Sequence, residues 1–168
     1  MGLLINATDF IDTFALSKQI VDNISAYIDR YEEKYLADLL GAELYKLFKA
    51  DVDANAPNQV PTDANYLLIY NSILEDYSNC IVRSEGMKSM ILGFIWFEYV
   101  RGSKHKHTES GVIYNNVELS TIPAWSSGFI QKRYNESITN YENIQWYICQ
   151  NSGDYPEYNG ICKGRILF

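Results

Sequence analysis

Apolar residues at Ile20, Ile24, Tyr27, Ile28, Tyr31, Tyr35 and Leu39 recur at steps of three and four, the spacing of one helical face. Asp22, Asp29, Glu32 and Lys34 fall between them. The pattern predicts a helix that begins near Ser17 and ends after Leu40, where Gly41 is suited to a left-handed terminating conformation. Residues 42–49 then read as a short second helix with Leu44, Leu47 and Phe48 turned inward. Upstream, Thr8-Asp9 is placed to cap a short apolar segment containing Phe10, Ile11 and Phe14.

A loop rich in Asn, Asp and Pro follows over residues 51–63. Thr62 is the expected cap of the next helix. Leu67, Tyr70, Ile73, Leu74, Tyr77, Cys80 and Ile81 form a second helical stripe, weakened at 84–86 and resumed by Met87, Ile91, Phe94, Ile95 and Tyr99. One long bent helix or two in succession satisfies this pattern. The second half is apolar on most sides, as a central buried helix must be. Residues 102–125 lose the helical period. Weak alternation at Val112, Tyr114, Val117 and Leu119 allows a short hairpin around Asn115-Asn116. Ser126 or Ser127 then caps a last helix with Ile130, Tyr134, Ile138, Tyr141, Ile144 and Ile148 on one face.

The fold class expected is therefore all-α: a single helical bundle domain of four to five helices over residues 1–150, with the 102–125 excursion as a loop or short hairpin. Residues 151–168, with Pro156, three glycines and a closing Ile166-Leu167-Phe168, read as an extended C-terminal docking tail. They are too apolar for simple disorder.

Composition narrows the function classes. A chain of 168 residues can bury a real core. Its net charge of -7 argues against free nucleic acid as the main ligand, because phosphate binding relies on clustered Lys and Arg. The first residues lack the basic start and long apolar run of a leader, and Asn6 stands where myristoylation wants Ser or Thr. The most apolar run, 87–100, is too short to span a bilayer. Cys80, Cys149 and Cys162 are odd in number and widely spaced, so reduced thiols are expected rather than a disulfide frame or zinc site. The 14 tyrosines suit either an interface or a core of half-buried rings.

No catalytic constellation emerges. His105 and His107 form a His-x-His pair, but Lys104 and Lys106 would repel a cation and no carboxylate or thiol pattern completes a site. With Arg101, the same segment makes a local basic patch suited to DNA phosphate or an acidic protein surface. Ser110 and Ser120 lack a nucleophile elbow. Phosphate-binding glycine motifs and the di-iron Glu-x-x-His pattern are missing from the sequence. The expectation is no enzyme, no metal and no cofactor. Trp96 is expected in the core, while Trp125, beside Pro123, is placed to anchor the excursion to the body or to a neighbour.

Several segments together resemble the head–tail adaptor (head-completion, connector) proteins of tailed bacteriophages, particularly those of Bacteroidetes hosts. They are Leu3-Leu4-Ile5, residues 28–45 with their Leu-Leu-Gly-x-x-Leu-Tyr core, Thr108-Glu-Ser-Gly111, Tyr134-Asn135 with Tyr141, and Tyr155-Pro156-Glu157-Tyr158. The resemblance implies a non-enzymatic virion protein at the head–tail junction, assembled in the host cytoplasm. Copies would form a ring, usually twelve, that binds the portal protein and the next neck or tail protein. Genomic DNA would pass through the lumen without sequence-specific binding. Carried onto this chain, it makes Tyr155, Tyr158, Arg165, Ile166, Leu167 and Phe168 the portal-docking candidates. Arg101, Lys104, His105, Lys106, His107 and Trp125 become candidates for contact with a tail component or the neighbouring subunit. The alternative is a small helical interaction module or regulator with no virion role.

Overall fold

The computed structural model of the chain describes residues 2–11, 14, 18–56, 58–77, 80–103, 105–108, 111–114, 125–160 and 162. Five helices carry the architecture: α1 (Lys18–Leu40), α2 (Ala42–Ala54), α3 (Ala64–Tyr70), α4 (Gly86–Ser103) and α5 (Trp125–Gln150). Two antiparallel hairpins interrupt them. The first pairs β1 (Ile73–Tyr77) with β2 (Cys80–Ser84), and the second pairs β3 (His105–Thr108) with β4 (Gly111–Tyr114).

The central helix is α4, as its all-round apolar sequence predicts. Met87, Met90, Ile91, Phe94, Ile95, Trp96 and Tyr99 are all buried. It packs chiefly on α5 and α1. At the α4–α5 crossing, a side chain on Gly93 would run into Ser137 Oγ, so the missing Cβ lets the two backbones approach. From α1, Ile24, Ile28, Leu36, Leu39 and Leu40 complete the core. Tyr27, Tyr31 and Tyr35 are only partly buried and stack along the helix, with ring centroids 6.0 and 6.3 Å apart.

Helix α1 ends at Leu40, and Gly41 follows at φ 74°, ψ 166°. That backbone region is essentially restricted to glycine, but with so large a ψ it is extended rather than the left-handed helical terminator expected at this position. The second helix runs to Ala54, past the expected end at 49. Leu44 and Phe48 are buried in it, but Leu47 is exposed.

Other expectations need correction. Thr8 and Asp9 lie inside a turn instead of capping the segment that follows. Residues Ala7–Asp9 form one 3-10 turn, in which Asp9 accepts the Asn6 N–H at 2.7 Å and pairs with Lys88 at 2.8 Å. Phe10 is buried and Ile11 exposed. Helix α3 is capped by Asp63, whose carboxylate accepts the N–H groups of Asn65 and Tyr66. Thr62 instead donates to Asp51.

The stripe from Leu67 to Ile81 does not continue as helix. Asn71 is extended, and the apolar residues beyond it obey a period of two. Ile73 and Val82 turn inward, while Leu74 and Ile81 turn outward. The hairpin β1–β2 lies against α5, where Asn143 Nδ2 donates to the Arg83 carbonyl (2.6 Å) and Asn140 Oδ1 accepts the Glu85 N–H (3.0 Å). The second hairpin closes between Thr108 and Gly111, earlier than Asn115-Asn116, which lie outside the described residues.

Cys149 and Cys162 are joined in a disulfide with their Cα atoms 5.7 Å apart, which overturns the expectation of three reduced thiols. Residues 151–160 turn back beside the end of α5 and so bring the two sulfurs together. Among the described residues no helix is long and apolar enough to cross a membrane.

Candidate docking surfaces

Residues 151–160 contain neither helix nor strand, but they are folded onto the body through successive turns. The Asp154 N–H bonds to the Asn151 carbonyl (2.9 Å), and the Tyr158 N–H to the Tyr155 carbonyl (3.0 Å). Tyr155 is only 1% exposed, and its hydroxyl donates to the Asn65 carbonyl at 2.8 Å. Asn65 Nδ2 returns a bond to the Asp154 carbonyl at 3.2 Å. Tyr155, expected to dock on a partner, is therefore part of this chain's own core. Tyr158 is partly buried against the same core. Of the expected docking residues, Arg165, Ile166, Leu167 and Phe168 lie outside the described residues.

Arg101 occupies the last turn of α4 rather than a loop. Its guanidinium pairs with Glu98 and lies 5.5 Å from the Phe97 ring centroid. Glu98, 7% exposed within an apolar helix, also accepts the Tyr35 hydroxyl at 3.0 Å. Burial, reinforced by the neighbouring Glu98 carboxylate, pushes the Tyr35 phenol well above its ordinary value. The charge of Arg101 is thus engaged with a buried carboxylate. His105, Lys106 and His107 fall on β3, opposite Tyr114, Ile113 and Val112. Trp125 is the first residue of α5, and Lys104 lies outside the described residues. Arg101 and β3 are continuous in the chain, whereas Trp125 returns only after a segment that lies outside the described residues.

Three features escaped sequence reading. Glu32 is 3% exposed, although it lies off the main apolar stripe of α1. Its carboxylate accepts the backbone N–H groups of Leu3 (2.6 Å), Leu4 (2.7 Å) and Ile5 (3.1 Å), which fastens the N-terminal segment to α1. The second is the outer face of the first hairpin, with Leu74 and Ile81 exposed at 74% and 64%. Turn formers at Asn71-Ser72 and Ser78-Asn79 were the available signal for that hairpin. The third is the Cys149–Cys162 bond, for which no local motif exists.

An open groove of about 760 Å³ lies where β2, the start of α4 and α5 meet. Arg83, Glu85, Lys132 and Glu136 line it, and Arg133 pairs with Glu136 at 2.9 Å. Charges of both signs line it, and the Ser89 hydroxyl donates to Glu85 at 2.9 Å. Among the described residues no group of three or more His, Cys, Asp or Glu side chains is placed to hold a metal ion.

No protein-family model, curated protein or solved structure matches the chain.

Proposed function

We propose that this chain is a head–tail adaptor of a tailed phage: a non-enzymatic ring subunit that binds the portal and extends the DNA channel toward the tail. One observation carries the reading. Several segments that bear the resemblance, far apart in sequence, pack along the second half of α1 and its junction with α2. Leu4 and Ile5 are tied to α1 through Glu32. The Tyr141 hydroxyl donates to the Asp38 carbonyl at 2.8 Å. Asn159, just beyond Tyr155-Pro-Glu-Tyr158, lies against Gly41. Residues scattered along the chain thus specify one structural unit, which is what a shared fold requires.

The physical requirements of such a subunit are consistent with the chain. A ring of identical copies needs two different complementary patches per subunit, and two separate hairpins interrupt the helices. Net charge of -7 suits a lumen that does not retain DNA phosphate. Residues 163–168 supply the portal-docking segment in this reading, and the β3–β4 excursion meets the next neck protein or the neighbouring copy.

The test is native mass measurement and electron microscopy of the protein mixed with the portal ring of its own genome. A stoichiometric ring stacked on the portal is expected. Folded protein that fails to associate with intact portal at high concentration overturns the portal assignment and favours a helical interaction module.

A further inference from the structure

The outer face of the β1–β2 hairpin carries Leu74 and Ile81, the two most exposed large apolar side chains among the described residues. Register places Leu74 opposite Arg83 and Asp76 opposite Ile81. Cross-strand partners share a face, and so do alternate residues of one strand. Leu74, Asp76, Ile81 and Arg83 therefore form the four corners of one patch, and all four are exposed. Ile73 and Val82, on the opposite face, are buried. Beside β2, Asn143 and Asn140 of α5 bond to the backbone at Arg83 and Glu85. The hairpin is thus held to the body while its outer face stays open. An exposed apolar pair rimmed by charge marks a contact surface.

We propose that this face is a twofold contact between two copies of the chain. The two apolar residues occupy one diagonal of the patch, and the two opposite charges occupy the other. Such a patch is its own complement. When a second copy is turned about an axis along the apolar diagonal, Leu74 meets Leu74 and Ile81 meets Ile81. Each Asp76 then meets Arg83 of the other copy. An axis along the strands, or across them, sets an apolar residue on a charge at every corner. An axis along the charged diagonal sets Asp76 on Asp76 and Arg83 on Arg83. Only the first arrangement satisfies all four positions, and it crosses the strands of the two copies steeply, as in orthogonal sheet packing. Diagonal neighbours lie about 7–8 Å apart, within reach of the long Arg83 side chain. Four side chains per copy bury much less than the roughly 1,200 Å² of a stable complex. The pair is therefore transient in solution and forms at high protein concentration. A twofold contact closes on itself, whereas a ring needs two different patches, so this inference stands apart from the adaptor reading.

Sedimentation equilibrium of the full chain, from about 10 μM to about 1 mM, tests the proposal without any partner. A monomer–dimer equilibrium is expected. Asp76→Arg makes both charged corners basic, and Arg83→Asp makes both acidic. By symmetry each change brings like charges together twice, so each variant alone should associate at least about tenfold more weakly. Mixing the two variants in equal amounts should restore pairing to near the wild-type strength, because every charged corner then meets its opposite. Recovery on mixing cannot arise from repair within either chain. A wild-type chain that stays monomeric throughout overturns the proposal and leaves the face to a different protein. Association that survives either reversal overturns it as well, and places the contact elsewhere. Loss in both variants without recovery on mixing overturns the paired arrangement. Should a reversed chain fail to fold, Leu74→Ser with Ile81→Ser decides: weakened association is expected, and unchanged association overturns the proposal.

Discussion

Gly41 lies directly against Asn159: a Cβ added at Gly41 would run into the Asn159 side-chain oxygen. The glycine of Leu-Leu-Gly-x-x-Leu-Tyr therefore has two reasons to lack a side chain, its backbone angles and the segment that crosses it. Gly41→Ala should cost about 2–3 kcal/mol, from a backbone region that only glycine occupies readily and from the close approach. Urea unfolding measures the loss. Asn159→Ala, at an exposed position, should cost less than about 0.5 kcal/mol alone. In the double variant it should recover part of the Gly41→Ala loss. Strict additivity would show that only the backbone angle matters.

Glu32 acts as a carboxylate clamp on three successive N–H groups. Glu32→Ala leaves buried donors without their acceptor and should cost about 3 kcal/mol. Exchange of the Leu3, Leu4 and Ile5 amides should accelerate with it. Burial pushes the Glu32 carboxyl above its ordinary 4.5, against the pull of the Leu4, Leu3 and Ile5 N–H groups. The folded state then holds the proton more tightly than the unfolded chain. This contribution to stability is present below pH 4.5 and is lost as pH rises through the folded value. Relative to Glu32→Gln, which does not titrate, wild type should lose stability across that window. A difference that stays constant with pH would refute the linkage.

Tyr35 and Arg101 hold opposite oxygens of Glu98. Tyr35→Phe removes one partner of a buried carboxylate and should cost about 1–2 kcal/mol. Its ring stacks on Phe94 at 4.4 Å, and Phe retains that contact. Because the folded phenol ionises above its ordinary 10.0, neutral Tyr35 stabilises the fold below pH 10. That stability is lost as pH rises through the folded value. Tyr35→Phe should flatten the alkaline loss of stability relative to wild type. Arg101→Ala should also destabilise, so a weaker partner contact in that variant needs a stability measurement beside it.

The Cys149–Cys162 bond closes a loop with a sequence separation of 13. Loop-closure entropy sets its contribution at about 3 kcal/mol. Cys162→Ser should lose up to that amount, and a dithiol reductant should bring wild type to the same stability. Alkylation in denaturant without reductant should modify one thiol, Cys80. Three modified thiols would show the bond to be absent under those conditions.

Legibility in the sequence followed the length of each periodic signal. Helices α1, α4 and α5, the central position of α4 and the stop at Gly41 all rest on long stripes or on glycine's own conformational range. The 67–81 stripe failed because Ile73, Leu74 and Ile81 fit a period of two once Asn71 breaks the helix. A short apolar run cannot distinguish those periods. Glu32 was hidden because its acceptors are satisfied by backbone 27–29 positions away, and backbone donors have no sequence signature. Tyr155 was assigned outward for a related reason: nothing local marks the Asn65 carbonyl, 90 positions earlier, as its partner.

Tyr155 and residues 163–168 must therefore be tested by different variants. Tyr155→Ala empties a core position and breaks the bond to Asn65, and should cost about 3–5 kcal/mol. Ending the chain at Gln150 should do at least as much damage, since Tyr155 and the disulfide both go. Either variant would lose portal attachment merely by unfolding. A chain ending at Cys162 keeps Tyr155, the contact of Asn159 with Gly41, and the Cys149 bond. Its unfolding free energy in urea should stay within about 0.5 kcal/mol of wild type. If those residues dock on the portal, this folded chain should fail to attach in co-sedimentation with portal rings. Attachment at wild-type strength would remove residues 163–168 from the portal contact. The β3–β4 excursion would then be the next surface to vary.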